Sequence, residues 1–283
     1  MEQGKQNFKR QESEKAQNLG PEFANAFVFL NFTLFDAGLI AKDYFEKKKI
    51  SSWSKGGVDI VTEADLKIDQ FLREKISKAY PTHQILTEET ASQFKGKIDQ
   101  IRDLWIVDPL DGTVNFSCHD PHFAVSVAYV RFGKTKIAAI RAPLFNEFYF
   151  ARDDKRGTYF DGQRMKISPV SDLKQSVVRA DWSTDLSERP KTAEAIRRVC
   201  GEVRMLNLKC CASLDLARLA RGDYQAYFHF GLKPWDFAAA AFLVEKAGGV
   251  VVKPDGSPFS LDCGGILAGN AEIVEKLQKI LDF

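Results

Sequence analysis

Apolar residues in this chain follow helical spacing in some stretches and form short continuous or alternating runs in others. From Phe23 to Ala41 they recur on a helical period broken by Asn25, Asn31, Thr33 and Asp36, and a polar stretch continues from Lys42 to Lys49. This pattern predicts an amphipathic helix that packs its Phe and Leu side chains inward rather than a bilayer span. Thr62 starts a second helix through Ala79, with Asp65 in its first turn at the positive end of the dipole. Leu104-Trp105-Ile106-Val107 reads as a buried strand ending where Asp108 begins, and Gln84-Ile85-Leu86 is a shorter apolar run closed by Thr87-Glu88-Glu89. Phe123 to Arg131, Lys136 to Arg141 and Glu147 to Arg152 read as consecutive strands, and Gly157 to Gly162 as a short strand running into a turn. Further helices are expected over Pro190 to Gly201, Ser213 to Arg221, Pro234 to Ala247 and Ala271 to Leu281. Strand runs mixed with helices place the chain in the layered α/β or α+β class. Residues 1–20 carry almost no large apolar side chain besides Phe8, so a flexible tail is expected ahead of one domain over residues 21–283.

Composition narrows the function classes. At 283 residues and 45% hydrophobic content the chain can fill a sizeable core. Its 40 basic and 38 acidic residues give a net charge of +2, which predicts no surface for polyanions such as nucleic acid and no strong attraction to membranes. Cys118, Cys200, Cys210, Cys211 and Cys263 have no metal-finger spacing and no visible signal peptide precedes them, so reduced thiols in a cytoplasm are expected. His83, His119, His122 and His229 lack zinc-ligand spacing. His119 and His122 flank the aspartate loop, where a hydrogen-bonding role fits them better.

The candidate chemistry lies in Asp108-Pro109-Leu110-Asp111-Gly112-Thr113-Val114-Asn115-Phe116. Pro109 fixes one φ and Gly112 permits a tight turn, so the bend can aim two carboxylates and the Leu110 carbonyl at one region. Hard divalent cations such as Mg²⁺ take oxygen ligands of this kind. Taken alone, the same residue types also make an ordinary Asp-rich turn that caps a helix.

Agreement with distant segments sharpens that reading. Together with Thr87-Glu88-Glu89, Val58-Asp59-Ile60-Val61-Thr62-Glu63-Ala64-Asp65, and Trp235-Asp236 leading through Ala238-Ala239-Ala240-Ala241 to Ala247-Gly248-Gly249, the string resembles the inositol monophosphatase family, in the family's order, from about residue 22 to the end. The resemblance implies the five-layer αβαβα sugar-phosphatase fold, a single catalytic domain, and roughly two or three Mg²⁺ per site. It implies that Glu88, Asp108 and the Leu110 carbonyl hold a first metal, that Asp108 bridges to a second held also by Asp111 and Asp236, and that Thr113 with Asp65 orients and deprotonates the attacking water. Glu88 thereby enters the catalytic set, with Glu89 behind it, and Lys55 resembles the family's basic residue near the metal loop. The Gly112 and Thr113 amides suit a phosphate oxygen. Asp111, Ala212, His229 and Asp236 fall at substrate-side positions, and Trp235 packs beneath the site. Asp236 also suits a helix N-cap. A homodimer is the expected assembly, with a small phosphate ester as the partner molecule.

Departures from the family pattern fall on the alcohol side. His229 stands where many members carry a glutamate that binds substrate hydroxyls, and Cys210-Cys211-Ala212-Ser213 replaces the usual Gly-Ser/Thr-Ala-Ala. If His229 reaches the pocket it should weaken selection for neutral vicinal hydroxyls and tolerate a second anionic group; otherwise it packs beside Phe228 and Phe230. Fructose-1,6-bisphosphatase, histidinol-phosphate phosphatase and nucleotide-bisphosphate phosphatase activities would keep the same carboxylates, although Val114-Asn115 argues against the last. A non-catalytic regulatory protein that keeps the fold is the alternative of another class.

Overall fold

The computed structural model describes residues 21–47, 49–154 and 157–281; the expected flexible tail over residues 1–20 lies outside them. Helix α1 (Pro21–Phe45) buries Ala26, Phe27, Leu30, Leu34, Ala37 and Ala41, a stripe at helical spacing. It stops at Phe45, short of the polar end expected near residue 49. A short antiparallel hairpin of β1 (Ser52–Gly56) and β2 (Asp59–Thr62) leads into α2 (Glu63–Ala79).

The first sheet has seven strands in the order β3 (Gln84–Thr87), β4 (Leu104–Asp111), β5 (Ala124–Arg131), β6 (Lys134–Ala142), β7 (Glu147–Arg152), β8 (Thr158–Phe160) and β9 (Gln163–Arg164). β3 and β4 are parallel and the later pairs antiparallel. A single turn, α3 (Thr113–Ser117), separates β4 from β5. The second sheet contains β10 (Val177–Ala180), β11 (Met205–Leu208), β12 (Ala226–Phe230), β13 (Val250–Val252) and β14 (Gly265–Gly269) in the order β11-β10-β12-β14-β13. Helices α4 (Arg189–Val199), α5 (Ala212–Arg221), α6 (Pro234–Lys246) and α7 (Ala271–Leu281) complete the chain.

Three cores define five layers. Trp105, Val107, Val125 and Val127 of the first sheet pack against α1 and α2. On its other face Leu104, Ile106, Ala128 and Ile140 meet α5 and α6, which also receive Tyr227, Ile266 and Ala268 of the second sheet. The outer face of that sheet, Val178, Phe228, Phe230 and Leu267, packs on α4 and α7. Each sheet is therefore covered on both faces, which is why β4 reads as a continuous apolar run and not as an alternation. This is the expected αβαβα arrangement, and α5 and α6 form its central layer. Among the described residues no helix is long and apolar enough to cross a membrane.

Candidate active site

β4 does not end at Asp108, as its apolar run implied, but continues through Asp111. Asp108 pairs with Ser126 and Asp111 with Ala124, so three steps on β4 oppose two on β5. The extra residue makes a bulge at Pro109-Leu110, where proline has no N–H to give the ladder. Leu110 N donates to Asp108 Oδ1 at 3.1 Å, and the chain then turns at Gly112, φ +91°. A Cβ at Gly112 would lie 2.9 Å from the His122 carbonyl oxygen and 3.3 Å from Cys211 Cβ, so both φ and space require glycine.

Asp65 reaches the same place from another element. β2 passes into α2 at Thr62, an extended N-cap residue, and Asp65 Oδ2 accepts from Thr62 N at 2.9 Å and from the Thr62 hydroxyl. Its other oxygen, Oδ1, accepts from Thr113 Oγ1 at 2.9 Å, and the same hydroxyl lies 3.0 Å from the Leu110 carbonyl. Asp65 is only 1% exposed, and burial raises its pKa against the opposing hydrogen bonds from Thr62 and Thr113. Thr113 is thus held between the expected base and the expected carbonyl ligand.

Glu88 and Glu89 open a short 3₁₀ turn after β3, capped by Thr87. Lys55, from β1, places Nζ 2.6 Å from Glu88 Oε1 and 2.8 Å from Glu89 Oε1. Burial works to lower the Lys55 pKa, but the two glutamates outweigh it and raise it. Glu88 is pushed up to about 7, by burial first, with Lys55 opposing and the charges of Glu89 and Asp65 adding. Asp108, 1% exposed, is driven well above the carboxylate range by burial and then by Glu88, Asp111, Asp236 and Asp65. Burial and Asp111 do the same to Asp236. Asp111 is raised by burial, against its bonds to Ser213 and Cys211.

The carboxylates are gathered, but each is tied to a different partner. Asp111 Oδ2 accepts from Ser213 N at 2.6 Å and lies 3.2 Å from Cys211 Sγ. Asp236 is the third residue of α6, not its N-cap, and accepts from Lys233 N at 2.7 Å. Among the described residues no three His, Cys, Asp or Glu groups are already drawn into a closed ligand cluster. The donor set nevertheless fits Mg²⁺: oxygen atoms throughout, in carboxylates that destabilise one another's charge, with an ammonium already bonded to Glu88.

The substrate-side residues are placed less uniformly. Ala212 opens α5 with its side chain buried, so any contribution to a ligand would come from its main chain. α3 is one turn long, so the Gly112 and Thr113 amides offer donors with little dipole behind them. His229 lies on the face of β12 shared with Tyr227, opposite Phe228 and Phe230, so it does not pack beside those two as the alternative had it. It is 4% exposed, its Nδ1 has no hydrogen-bond partner among the described residues, and burial lowers its pKa to about 4. Trp235 packs against the central core. His119 Nε2 lies 3.0 Å from the Lys47 carbonyl, and His122 Nε2 2.9 Å from Asp215 Oδ1, hydrogen-bonding roles as expected of both.

Sequence reasoning missed several structural partners of this site. Asn115 Nδ2 donates to the carbonyls of His122 at 2.8 Å and Lys209 at 2.7 Å, lashing the loop to the approach to α5. Asp181, buried, accepts from the amides of Lys209 and Cys210 and from the Tyr227 hydroxyl. Apart from the Asn115–His122 bond, these contacts join residues 28 to 94 positions apart, and no local pattern announces them.

The sequence model of the inositol monophosphatase family matches residues 27–282. Nus factor SuhB of Escherichia coli K12 is 34% identical over 240 residues, 84% of this chain and 88% of that protein. Inositol-1-monophosphatase of Rhizobium meliloti is 34% identical over 250 residues, covering 88% and 92%. The crystal structure of extragenic suppressor protein suhB from Bartonella henselae superimposes with a TM-score of 0.84 at 30% identity, covering 91% of this chain and 98% of the other. The motif blocks, the five layers and these matches over most of the chain agree: the protein belongs to the inositol monophosphatase family.

Proposed function

We propose that the protein is a Mg²⁺-dependent phosphomonoesterase acting on inositol monophosphate or a closely related small polyol phosphate. One observation carries the reading: Asp108 is buried beside Glu88, Asp111, Asp236 and Asp65, and burial first, then their charges, raises its pKa. Two carboxylates about 4 Å apart repel by about 4 kcal/mol at an effective dielectric near 20. A site built this way is stabilised by divalent cations. Glu88, Asp108 and the Leu110 carbonyl would hold one ion, and Asp108, Asp111 and Asp236 a second. Bound Mg²⁺ would supply charge neutralisation for a phosphate and acidify a coordinated water.

The chain's own residues would do the rest. Thr113 Oγ1 and Asp65 Oδ1, 2.9 Å apart, form a pair that orients a water and takes its proton. Burial raises the Asp65 pKa, against the hydrogen bonds from Thr62 and Thr113, and so makes the carboxylate a readier proton acceptor. The Gly112 and Thr113 amides lie beside that pair and suit a phosphate oxygen. His229, expected on the alcohol side from the family resemblance, is 4% exposed and, with a pKa of about 4, is uncharged at neutral pH. It therefore offers no cation to a second phosphate, and the tolerance for a sugar bisphosphate expected from a charged histidine loses its basis. A monoester of a neutral polyol fits better. The name inositol-1-monophosphatase borne by the Rhizobium meliloti relative supports the same substrate class.

Phosphate release from inositol monophosphate, fructose 1,6-bisphosphate, histidinol phosphate and a nucleotide bisphosphate, each with Mg²⁺, tests the reading. The highest kcat/KM is expected for inositol monophosphate; a preference for another ester would replace the substrate, and no turnover of any would overturn the activity. The name Nus factor carried by the Escherichia coli relative favours a second reading, a partner-binding protein that keeps the fold. Absence of turnover across the panel would favour it.

A further inference from the structure

The first turn of α5 carries a buried charged cluster that the metal-centred chemistry leaves without a task. Asp215 is fully buried. Its Oδ1 accepts from His122 Nε2 at 2.9 Å and also from Arg179 Nη1, while Oδ2 has no hydrogen-bond partner among the described residues. The Arg179 guanidinium, from β10, also lies 4.4 Å from the centre of the Tyr224 ring, and the Tyr224 hydroxyl donates to the Asp215 carbonyl. A buried ion pair of this kind adds little net stability, because dehydration offsets most of the attraction. What it supplies is geometry: one carboxylate oxygen holds two donors from different parts of the fold at fixed distances.

Those donors come from the elements that meet at the active site. His122 ends the loop that begins with Asp111-Gly112-Thr113, Asp215 sits two residues beyond Ser213, and Arg179 belongs to the second sheet. The Asn115 amide ties the same loop to the carbonyls of Lys209 and Cys210 just before α5. Between the two ties lies the 2.6 Å contact of Asp111 Oδ2 with Ser213 N. Gly112 is confined between the His122 carbonyl and Cys211.

We infer that Asp215 is a positioning residue: by clipping His122 and Arg179 to the first turn of α5, it fixes where the Ser213 amide and Cys211 hold Asp111. The clip itself rests on contacts. Its kinetic consequence rests on the phosphatase reading.

Asp215→Asn removes the charge with little change of shape. The first measurement is amide exchange, which needs no turnover. Exchange over residues 112–122 and 210–215 should accelerate about tenfold or more, because the two segments lose a shared tie. Unchanged exchange in both would overturn the clip whatever the enzyme's activity. The second measurement is steady-state kinetics with inositol monophosphate. KM and the Mg²⁺ concentration for half-maximal rate should each rise about tenfold, with kcat changed less than about threefold, the scale expected of coupling between neighbouring groups. A lower unfolding midpoint with KM and Mg²⁺ dependence within about twofold of wild type would mean that Asp215 is merely structural, and would overturn the proposal.

If Asp215→Asn fails to fold, His122→Phe decides. It removes one donor and leaves the Arg179–Asp215 pair intact, and smaller shifts of the same parameters in the same direction are expected. No shift in exchange, KM or Mg²⁺ dependence in that variant would equally overturn the proposal. A wild-type protein without turnover would sink the phosphatase reading and leave the exchange experiment to decide the clip.

Discussion

The Lys55 ammonium lies 2.6 Å from Glu88 Oε1, where it neutralises the carboxylate expected to hold the first metal. Lys55 and a cation therefore compete for the same oxygen. Replacing Lys55 by Met leaves Glu88 and Glu89 without their counter-charge, at a cost on the order of 2 kcal/mol in metal-free stability. The same change should lower the Mg²⁺ concentration needed to stabilise the protein by about tenfold, since 1.4 kcal/mol of lost competition suffices for that. Unfolding midpoints recorded across a Mg²⁺ series in both proteins check it.

Thr113 Oγ1 donates to Asp65 Oδ1 and sits beside the Leu110 carbonyl. Thr113→Ala removes the hydroxyl and little packing, because Thr113 is only half-buried. A fall in kcat of about a hundredfold or more is expected, the usual worth of general acid–base assistance, with the Mg²⁺ dependence held within a few-fold. Steady-state rates at several Mg²⁺ concentrations separate the two effects. A loss confined to Mg²⁺ affinity would assign Thr113 to metal binding instead.

Gly112→Ala should destabilise the fold by about 1–3 kcal/mol, since it combines a positive φ with a crowded Cβ. The strain falls on the loop that carries Asp111 and Thr113, so activity should drop further than stability does. Denaturant unfolding and turnover, measured on one preparation, give both numbers.

His229 makes stability fall in acid. Its pKa is about 4 in the folded protein against 6.5 for an ordinary histidine, so the unfolded chain binds a proton that the folded one refuses. This contribution is fully present above pH 6.5 and is lost as pH falls toward 4, a change on the order of 3 kcal/mol. His229→Phe should flatten the stability curve across that window while leaving it unchanged in shape above pH 7. Equal acid sensitivity in the two proteins would mean that the ring is not held neutral.

The fold was legible wherever one element supplied its own pattern. The stripe of α1, the Thr62–Asp65 start of α2, the strands from residue 124 to 152 and the helix from Ala271 to Leu281 all lie close to where spacing and capping put them. The end of β4 was misplaced because charged residues conventionally mark a strand's end. Here a bulge keeps Asp108 and Asp111 in the ladder, and pairing with β5 decides it. In the site, the motif blocks supplied the carboxylates, and the structure supplied their restraints. Ser213 holding Asp111, Asn115 lashing Lys209 and Cys210, and Arg179 paired with Asp215 each join residues from separate elements, and only the assembled layers bring them together. His229 was legible as a departure from the family pattern but not as a neutral, enclosed ring, because its environment is made by Tyr227, Trp182 and β14.

The central claim is that Glu88, Asp108, Asp111 and Asp236 work as a Mg²⁺ site for phosphate-ester hydrolysis. Titrating Mg²⁺ into metal-stripped protein with inositol monophosphate, in parallel with Asp111→Asn, tests it most directly. Phosphate release should rise from zero with Mg²⁺ and vanish with EDTA, while Asp111→Asn, folded with a midpoint close to wild type, should lose at least about a hundredfold in rate at any Mg²⁺ concentration. Mg²⁺-independent release, or near-normal turnover by Asp111→Asn at saturating Mg²⁺, would contradict the account.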